Sequence, residues 1–350
     1  MTRSGRAPRR ATTIRWRPSK SVLTLSLFTA LVIVAVGWYG FHTWRTYHDA
    51  SDTAAPIAQE SLSNVDKAPR IVFRNTAPGA SYGHVAVVPL GDPAGPRAVT
   101  PVVCDRVDAV DGASSCLRTK RGILTSYEAQ LLDRSWRQVR SWPLAGIPNR
   151  TRLSRDGELV ATTTFVTGHT YAQTGFSTHT EISRADGESY GNIEEFTLSV
   201  DGAPIAPVDR NIWGVTFADA TTFYATAASA TLGKTWLVRG DLEARTLAAV
   251  RENAECPSLS PDGARVAYKK DTGSRFWAIA VTDLASGKET TLGESRSVDD
   301  QIEWLDDDTV LYGLPRVDEP GVTDVWSIGV KAGAEPTLLI PQAWSPAVVR

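Results

Sequence analysis

Two cysteines are the first residues whose type and spacing point to chemistry. Cys104 and Cys116 flank Asp111-Gly112, a pair that favours a tight hairpin turn because Gly adopts positive φ freely and Asp bonds its own backbone. Such a turn places the cysteines on facing strands, where a disulfide forms if their Cα atoms lie within about 7 Å. We predict this disulfide, and the alternative is two unpaired thiols. Cys256 is left over and is predicted to be a small buried apolar residue.

Two histidines, His169 and His179, flank a stretch rich in Thr, Tyr and Gly that contains Tyr171. A histidine pair without a neighbouring acid or cysteine cluster is a weak metal site, so the sequence predicts neither a metal nor another cofactor. We interpret residues 167–195 as a long loop inserted over one face of the fold. His169, Tyr171 and His179 are its candidate functional residues.

The sequence contains no coherent catalytic constellation. The segment GASYG (79–83) fits G-x-S-x-G, but a nucleophile elbow needs a helix after it, and strand-like sequence follows here. Asp105, Asp108 and Asp111 recur at every third position, unlike the alternating acids of a calcium-binding loop. We therefore predict no catalytic residue and a protein that is not an enzyme.

Charge is distributed unevenly along the 350 residues, whose formal net charge is -2. Residues 1–20 carry no acid and seven bases: Arg3, Arg6, Arg9, Arg10, Arg15, Arg17 and Lys20. The remainder of the chain is therefore more acidic than the total indicates. Because nucleic-acid binding requires clustered Lys and Arg, an acidic main domain argues against a nucleic-acid partner.

An uncharged apolar run follows this basic tail. Residues 21–41 match the length of a membrane span, about 20 residues, and Trp38 and Tyr39 lie where aromatic rings prefer the lipid–water interface. The positive-inside rule places the N-terminus in the cytoplasm. We predict a cytoplasmic tail (1–20) and a single-pass signal-anchor helix in the cell membrane, with the rest extracytoplasmic. The alternatives are a cleaved signal peptide, which has a shorter apolar core, and a buried helix of a soluble protein.

The sequence after the apolar run has the pattern of an all-β domain. Residues 42–66 are mixed and polar, and we interpret them as a linker or stalk. From 67 to 350, short runs such as RVAYKK (265–270) and FWAIAV (276–281) alternate with Gly, Asp, Asn and Pro. Many short strands at regular spacing are typical of a sandwich, a barrel or a propeller.

An internal repeat selects the propeller. The segments around Asp156-Gly157 and Asp262-Gly263 share the pattern x-L-S-x-D-G-x-x-V-A with one varied position. Each Asp-Gly pair predicts a hairpin turn, and Asp219 and Asp307 follow comparable strands. Asp219, Asp262 and Asp307 recur at intervals of 43 and 45 residues, which is the length of a propeller blade. We predict six blades, with seven possible if the blades are short, and closure of the ring by the C-terminal strand.

The repeat resembles that of the TolB-like β-propeller family. Residues 256–268, CPSLSPDGARVAY, match its P-x-[W/L/F]-S-P-D-G-x-x-[I/L/V]-[A/V]-[Y/F] core almost throughout. The whole chain is also similar to membrane-anchored TolB-like proteins of actinobacteria. The resemblance implies a propeller over 67–350, but little about activity, because propellers host unrelated functions. The family's Tol–Pal role is not carried over, since this chain has no room for the separate α/β domain of TolB.

The predicted function is a non-enzymatic binding or scaffolding module of the cell envelope. Its partner would be an envelope protein, a peptide or a glycan, presented to loops around the propeller. An extracytoplasmic hydrolase or lyase, using carboxylates near the propeller channel, is the alternative. Raised carboxyl pKa values clustered in one pocket would favour that enzyme. A purely structural propeller is the third possibility.

Overall fold

The computed structural model describes residues 19–53, 58–65, 69–166, 177–273 and 276–350. The chain divides into two compact units, 1–54 and 55–350.

The first unit contains one helix, α1 (Lys20–Thr53). Its segment Lys20–Arg45 has a mean hydropathy of 2.1 and is long and apolar enough to cross a membrane. The hydroxyls of Thr24 and Thr29 each donate to the carbonyl oxygen four residues earlier, at 2.9 Å. These polar groups are therefore satisfied within the helix, as a lipid environment requires.

The helix α1 extends beyond the predicted span of 21–41. Neither proline nor glycine occurs between Phe41 and Pro56, so no residue there stops the helix. The segment 42–66, interpreted from the sequence as a linker, is thus helical in its first part.

The second unit begins with a short segment that packs against its first sheet. Gln59 forms an isolated parallel bridge with Arg97. The helix α2 (Leu62–Val65) buries Val65, which is 1% exposed. The last part of the predicted linker therefore belongs to the β-domain.

Short strands punctuated by turn residues form six separate sheets, which confirms the predicted six-bladed propeller. In chain order the strands are β1 (Arg70–Asn75), β2 (His84–Pro89), β3 (Ala98–Val103), β4 (Arg106–Val110), β5 (Ala113–Lys120), β6 (Ser126–Asp133), β7 (Gln138–Pro143), β8 (Ile147–Leu153), β9 (Leu159–Val166), β10 (Ser177–Arg184), β11 (Ser189–Asn192), β12 (Thr197–Val200), β13 (Ala203–Ile205), β14 (Arg210–Phe217), β15 (Thr222–Ser229), β16 (Lys234–Asp241), β17 (Thr246–Glu252), β18 (Glu255–Leu259), β19 (Arg265–Asp271), β20 (Trp277–Asp283), β21 (Glu289–Thr291), β22 (Glu303–Asp306), β23 (Thr309–Pro315), β24 (Thr323–Gly329), β25 (Thr337–Ile340) and β26 (Ala343–Val349).

Blade 1 joins the two ends of the propeller. Its sheet has the order β26-β1-β2-β3, so the last strand of the chain pairs with the first. The antiparallel register runs from Arg70 opposite Val349 to Asn75 opposite Ala343. The predicted closure by the C-terminal strand is confirmed, and it leaves neither of these two strands as an unpaired edge.

The other blades follow in sequence, each as an antiparallel meander. Blade 2 is β4 to β7, blade 3 is β8 to β11, blade 5 is β18 to β21 and blade 6 is β22 to β25. Blade 4 has β14 to β17, and β12 and β13 extend it to six strands. We call the face where each blade's first strand begins the upper face. The turns between first and second strands, and between third and fourth strands, form the lower face.

The repeated Ser-x-Asp-Gly segments form two equivalent turns on the lower face. In blade 3, Ser154 Oγ donates to Asp156 Oδ1 at 2.5 Å, and Gly157 has φ 73°. In blade 5, Ser260 Oγ donates to Asp262 Oδ1 at the same distance, and Gly263 has φ 72°. The shared sequence thus specifies the same hairpin in both blades.

The two other predicted turn residues have related roles. Asp219 accepts backbone N–H bonds from Thr221 at 2.9 Å and Thr222 at 2.7 Å. Asp307 accepts from the backbone N–H of Asp262 at 2.9 Å. This last bond joins the turns of blades 5 and 6, so one repeat position also contributes to contact between blades.

The disulfide between Cys104 and Cys116 is present, with a Cα–Cα separation of 5.5 Å. Cys116 lies on β5, whereas Cys104 lies just before β4. Asp111-Gly112 forms the turn between these strands, as the sequence predicted, and Gly112 has φ 87°. Cys256 is free and buried.

The predicted loop of 167–195 is wrong for residues 177–192, which form β10, β11 and the turn between them, and residues 167–176 lie outside the described residues. An insertion follows these strands instead. A 3₁₀ turn (Ile193–Glu195) leads into the hairpin β12–β13, and β12 pairs in parallel with β17. Because Leu198 of this hairpin and Phe196 before it are fully buried between blades 3 and 4, the insertion is part of the core.

Candidate ligand-binding cavity

A cavity of about 1030 Å³ opens on the upper face of the propeller, between blades 3, 4 and 5. It is formed where β10, β14, β16 and β18 begin, and where β15, β17 and β19 end. Its volume is at the upper end of what small-molecule sites use, roughly 300–1,000 Å³. The space is therefore sufficient for several residues of a peptide or for a ligand of similar size.

A hydrogen-bond network fixes the wall between blades 3 and 4. The hydroxyl of Thr178 donates to Glu194 Oε1 at 2.6 Å, and the backbone N–H of Thr178 donates to Asn211 Oδ1 at 2.8 Å. Ile212 also donates its backbone N–H to Glu194, at 3.3 Å. Asn192 caps the 3₁₀ turn by accepting from the N–H of Glu194 at 3.0 Å. The insertion thus places Glu194 at the first strand of the next blade.

The remaining walls carry acids on the connections of blades 4 and 5. Asp209 accepts from Ser229 Oγ at 2.7 Å and from the backbone N–H of Thr231 at 2.6 Å. Glu252 is exposed and forms an ion pair with Lys234.

The innermost acid of this wall is Glu255, at the start of β18. It accepts from the indole N–H of Trp277 at 3.3 Å and lies 3.8 Å from Lys269 Nζ.

The cavity is acidic overall. Its six carboxylates outnumber its two permanent cations, Arg210 and Lys234; the acids are Glu194, Glu195, Asp209, Glu252, Glu255 and Asp271. Burial raises the pKa of Glu194 and of Glu255 above that of an ordinary glutamate, although Thr178 and Lys269 respectively oppose the shift. Two carboxyl groups with raised pKa values therefore share one cavity.

Of the three candidate residues predicted from the sequence, His179 lines this cavity. Its Nε2 lies 4.0 Å from Glu181 Oε2, and Glu181, with smaller contributions from Glu194 and Glu195, raises the pKa of the imidazole. His169 and Tyr171 lie outside the described residues.

The central channel differs from this cavity because charged side chains fill it. Arg106 of blade 2 and Arg150 of blade 3 each lie 3.6 Å from Asp300 Oδ1, which precedes blade 6. The space left among them is about 20 Å³, enough for roughly one water molecule. Burial, together with the charge of Arg150, lowers the pKa of Arg106 to about 9. Little space therefore remains among these three side chains.

A second group of charges lies where the channel meets the lower face. Arg152 forms an ion pair with Glu303 and lies 3.4 Å from Asp108 Oδ1. Asp108 also accepts from the backbone N–H of Leu153 at 2.6 Å. Burial raises the pKa of Asp108 to about 6, against the opposing charge of Arg152. The lower mouth itself has a volume of about 290 Å³.

The remaining motifs have structural positions. GASYG (79–83) lies in the connection between the antiparallel strands β1 and β2, and no helix follows it. Asp105 accepts from the backbone N–H and the hydroxyl of Thr119, at 2.7 and 2.6 Å. Within the described ranges, no group of three or more His, Cys, Asp or Glu side chains is arranged to hold a metal ion.

Comparison with solved structures establishes the fold class. TolB from Acinetobacter baumannii matches with a TM-score of 0.56 and 15% identity, over 83% of this chain and 69% of that chain. The fold is therefore a TolB-like β-propeller.

Matches to enzymes are weaker. A puromycin-hydrolyzing peptidase from Mycobacterium tuberculosis matches with a TM-score of 0.42 and 14% identity, over 78% of this chain and 43% of that chain. An oligogalacturonate lyase in complex with manganese matches with a TM-score of 0.46 and 10% identity, over 71% and 72% of the two chains. TM-scores at this level do not support an argument about activity. No family model matches the chain, and no curated protein matches its sequence.

Proposed function

We propose that this chain is a membrane-tethered, extracytoplasmic binding module whose ligand site is the upper-face cavity. The cavity itself carries the proposal: it is open, polar and large, and loops from three blades surround it. Loops held by a rigid scaffold commonly provide binding residues. The ligand would be an envelope protein, a peptide or a glycan.

The proposed tether is the segment Lys20–Arg45 of α1. In this proposal the basic residues before the segment keep the N-terminus in the cytoplasm, by the positive-inside rule. The Cys104–Cys116 disulfide supports an oxidising compartment for the propeller. N-terminal sequencing of membrane-purified protein tests retention of the helix, because a new N-terminus beyond residue 50 would indicate cleavage.

Site-specific photo-crosslinking in intact cells tests the binding proposal. A photo-reactive phenylalanine analogue replaces Val208, which lines the cavity and is 89% exposed. The matched control replaces Val317, which is 94% exposed on the upper-face loop of blade 6. We expect a discrete adduct from position 208 and a weaker or different pattern from position 317. Equal, diffuse labelling at both positions under several growth conditions would contradict a specific site.

A second candidate function is an extracytoplasmic hydrolase or lyase. The specific observation in its favour is that Glu194 and Glu255, both with raised pKa values, line the same cavity as His179. Both glutamates also have partners that give them structural roles, so binding is the leading proposal. Turnover of envelope glycans or peptides by the purified full chain, abolished by Glu194→Gln with Glu255→Gln, would establish the enzyme instead.

A further inference from the structure

Exposed apolar side chains are distributed unequally between the two faces of the propeller. Three of them surround the cavity: Val208 at 89% exposure, Leu232 at 49% and Phe276 at 39%. Leu232 belongs to the β15–β16 connection and Phe276 to the β19–β20 connection, and other residues of both connections line the cavity. Among the described residues, no lower-face turn exposes a large apolar side chain.

This arrangement combines an acidic interior with an apolar rim. Single exposed apolar residues such as Ile123 and Val317 also occur on this face and are ordinary. Val208, Leu232 and Phe276 differ because they lie on connections that border the acidic cavity, where a partner's apolar residues could cover them. The acids favour a cationic group inside the cavity. An anionic lipid surface would be repelled by the same acids.

We propose that the cavity and its rim dock a polypeptide segment in which Lys or Arg residues are flanked by apolar residues. The basic side chains would enter the cavity toward Glu252, Glu255 and Asp271, and the flanking apolar side chains would cover Val208, Leu232 and Phe276. This inference rests on the proposed binding function and specifies the chemistry of its partner. Charge complementarity of this kind accelerates association and weakens with salt.

The test measures binding of fluorescent synthetic peptides to the full chain in neutral-lipid nanodiscs. The probe is a soluble peptide with a lysine pair flanked by leucines, compared with a glutamate-for-lysine peptide and a serine-for-leucine peptide. We expect saturable binding of the probe alone, with affinity falling at least about tenfold between low and high salt. Equal binding of the glutamate peptide overturns the electrostatic proposal, and equal binding of the serine peptide overturns the role of the rim.

Two matched variant pairs assign the binding to this surface. The double variant Glu252→Lys with Asp271→Asn should lower the affinity for the probe peptide at least about tenfold. Its control, Glu243→Lys with Asp111→Asn, makes the same charge change in lower-face turns and should leave the affinity unchanged. Val208→Ser should lower the affinity for the probe peptide, whereas Val317→Ser should not. Equal losses within either pair overturn the proposed location.

The outcomes separate this inference from the function on which it rests. A specific adduct at position 208 with an acidic or neutral partner segment leaves the binding function intact and overturns the inference. No adduct at position 208, with no peptide binding, contradicts both. A polarity-sensitive dye on Val208→Cys that responds to anionic lipid vesicles would show a membrane contact, and would also overturn the polypeptide proposal.

Discussion

The upper-face cavity and the central channel both contain charged residues, but their charge balance differs. In the channel, Arg106, Arg150 and Arg152 are balanced by Asp108, Asp300 and Glu303, and the pairs span blades 2, 3 and 6. In the cavity, acids exceed cations and several of them are exposed. A balanced buried network holds strands together, whereas an unbalanced open one attracts a partner. We therefore propose a structural role for the channel charges and a binding role for the cavity.

The largest predicted effect comes from removing the central cation of the channel. Arg152→Met leaves Asp108 and Glu303 without their shared partner in a buried site. We expect a loss of about 3–5 kcal/mol in the free energy of unfolding, because an uncompensated buried charge is costly. Chemical denaturation of the full chain in detergent measures it. A loss below about 1 kcal/mol would show that the channel charges are not structural.

The pH dependence of stability provides the next test. Because the pKa of Asp108 is raised from 3.8 to about 6, the folded protein retains a proton that the unfolded chain releases. The contribution of Asp108 to stability therefore falls as pH rises from about 4 to about 6, by up to about 3 kcal/mol. The Asp108→Asn variant has no carboxyl group to titrate at this position. Its free energy of unfolding relative to the wild type should therefore increase as pH rises from about 4 to about 6. Parallel stability curves would contradict the assignment.

A smaller effect with the same pH trend, at higher pH, is expected in the cavity. The raised pKa of His179 means that its protonated form is stabilised in the folded protein. This contribution is present below the ordinary pKa of 6.5 and is lost as pH rises through the raised value. Since His179 is partly exposed, we expect less than about 1 kcal/mol. The stability difference between wild type and His179→Gln should therefore shrink as the solution becomes alkaline, and a widening difference would refute the assignment.

The smallest effect is predicted for an exposed acid of the cavity. Glu252→Gln removes an ion pair with Lys234 in which both side chains are about half exposed. We expect a change in stability within about 0.5 kcal/mol, because solvent-exposed pairs contribute little. A thermal unfolding midpoint equal to that of wild type is the expected result. A large loss would make the cavity acids structural, like those of the channel.

Local sequence rules predicted much of the fold. The Ser-x-Asp-Gly turns recur because Ser154 and Ser260 make the same bonds to Asp156 and Asp262. The disulfide followed from one hairpin around Asp111-Gly112. Each of these features involves residues that are close in sequence, so the pattern is sufficient to identify it.

The cavity was not predictable in the same way. Glu194, Asp209 and Glu255 belong to different connections, and only the ring arrangement of the blades brings them to one space. The hairpin β12–β13 was also missed, because a parallel pairing with β17 has no local signature. The charges of the channel did leave a signal in the sequence. Arg150 and Arg152 occupy alternate positions of one strand and therefore point to the same face, which here is the channel.

The most direct test of the central claim compares crosslinking at the two mouths of the propeller. The photo-reactive analogue is placed at Val208 in the cavity or at Asp111, which lines the lower mouth of the channel and is more than half exposed. The assignment of binding to the cavity predicts a discrete adduct from position 208 and none from position 111. An adduct formed only at position 111 would contradict it.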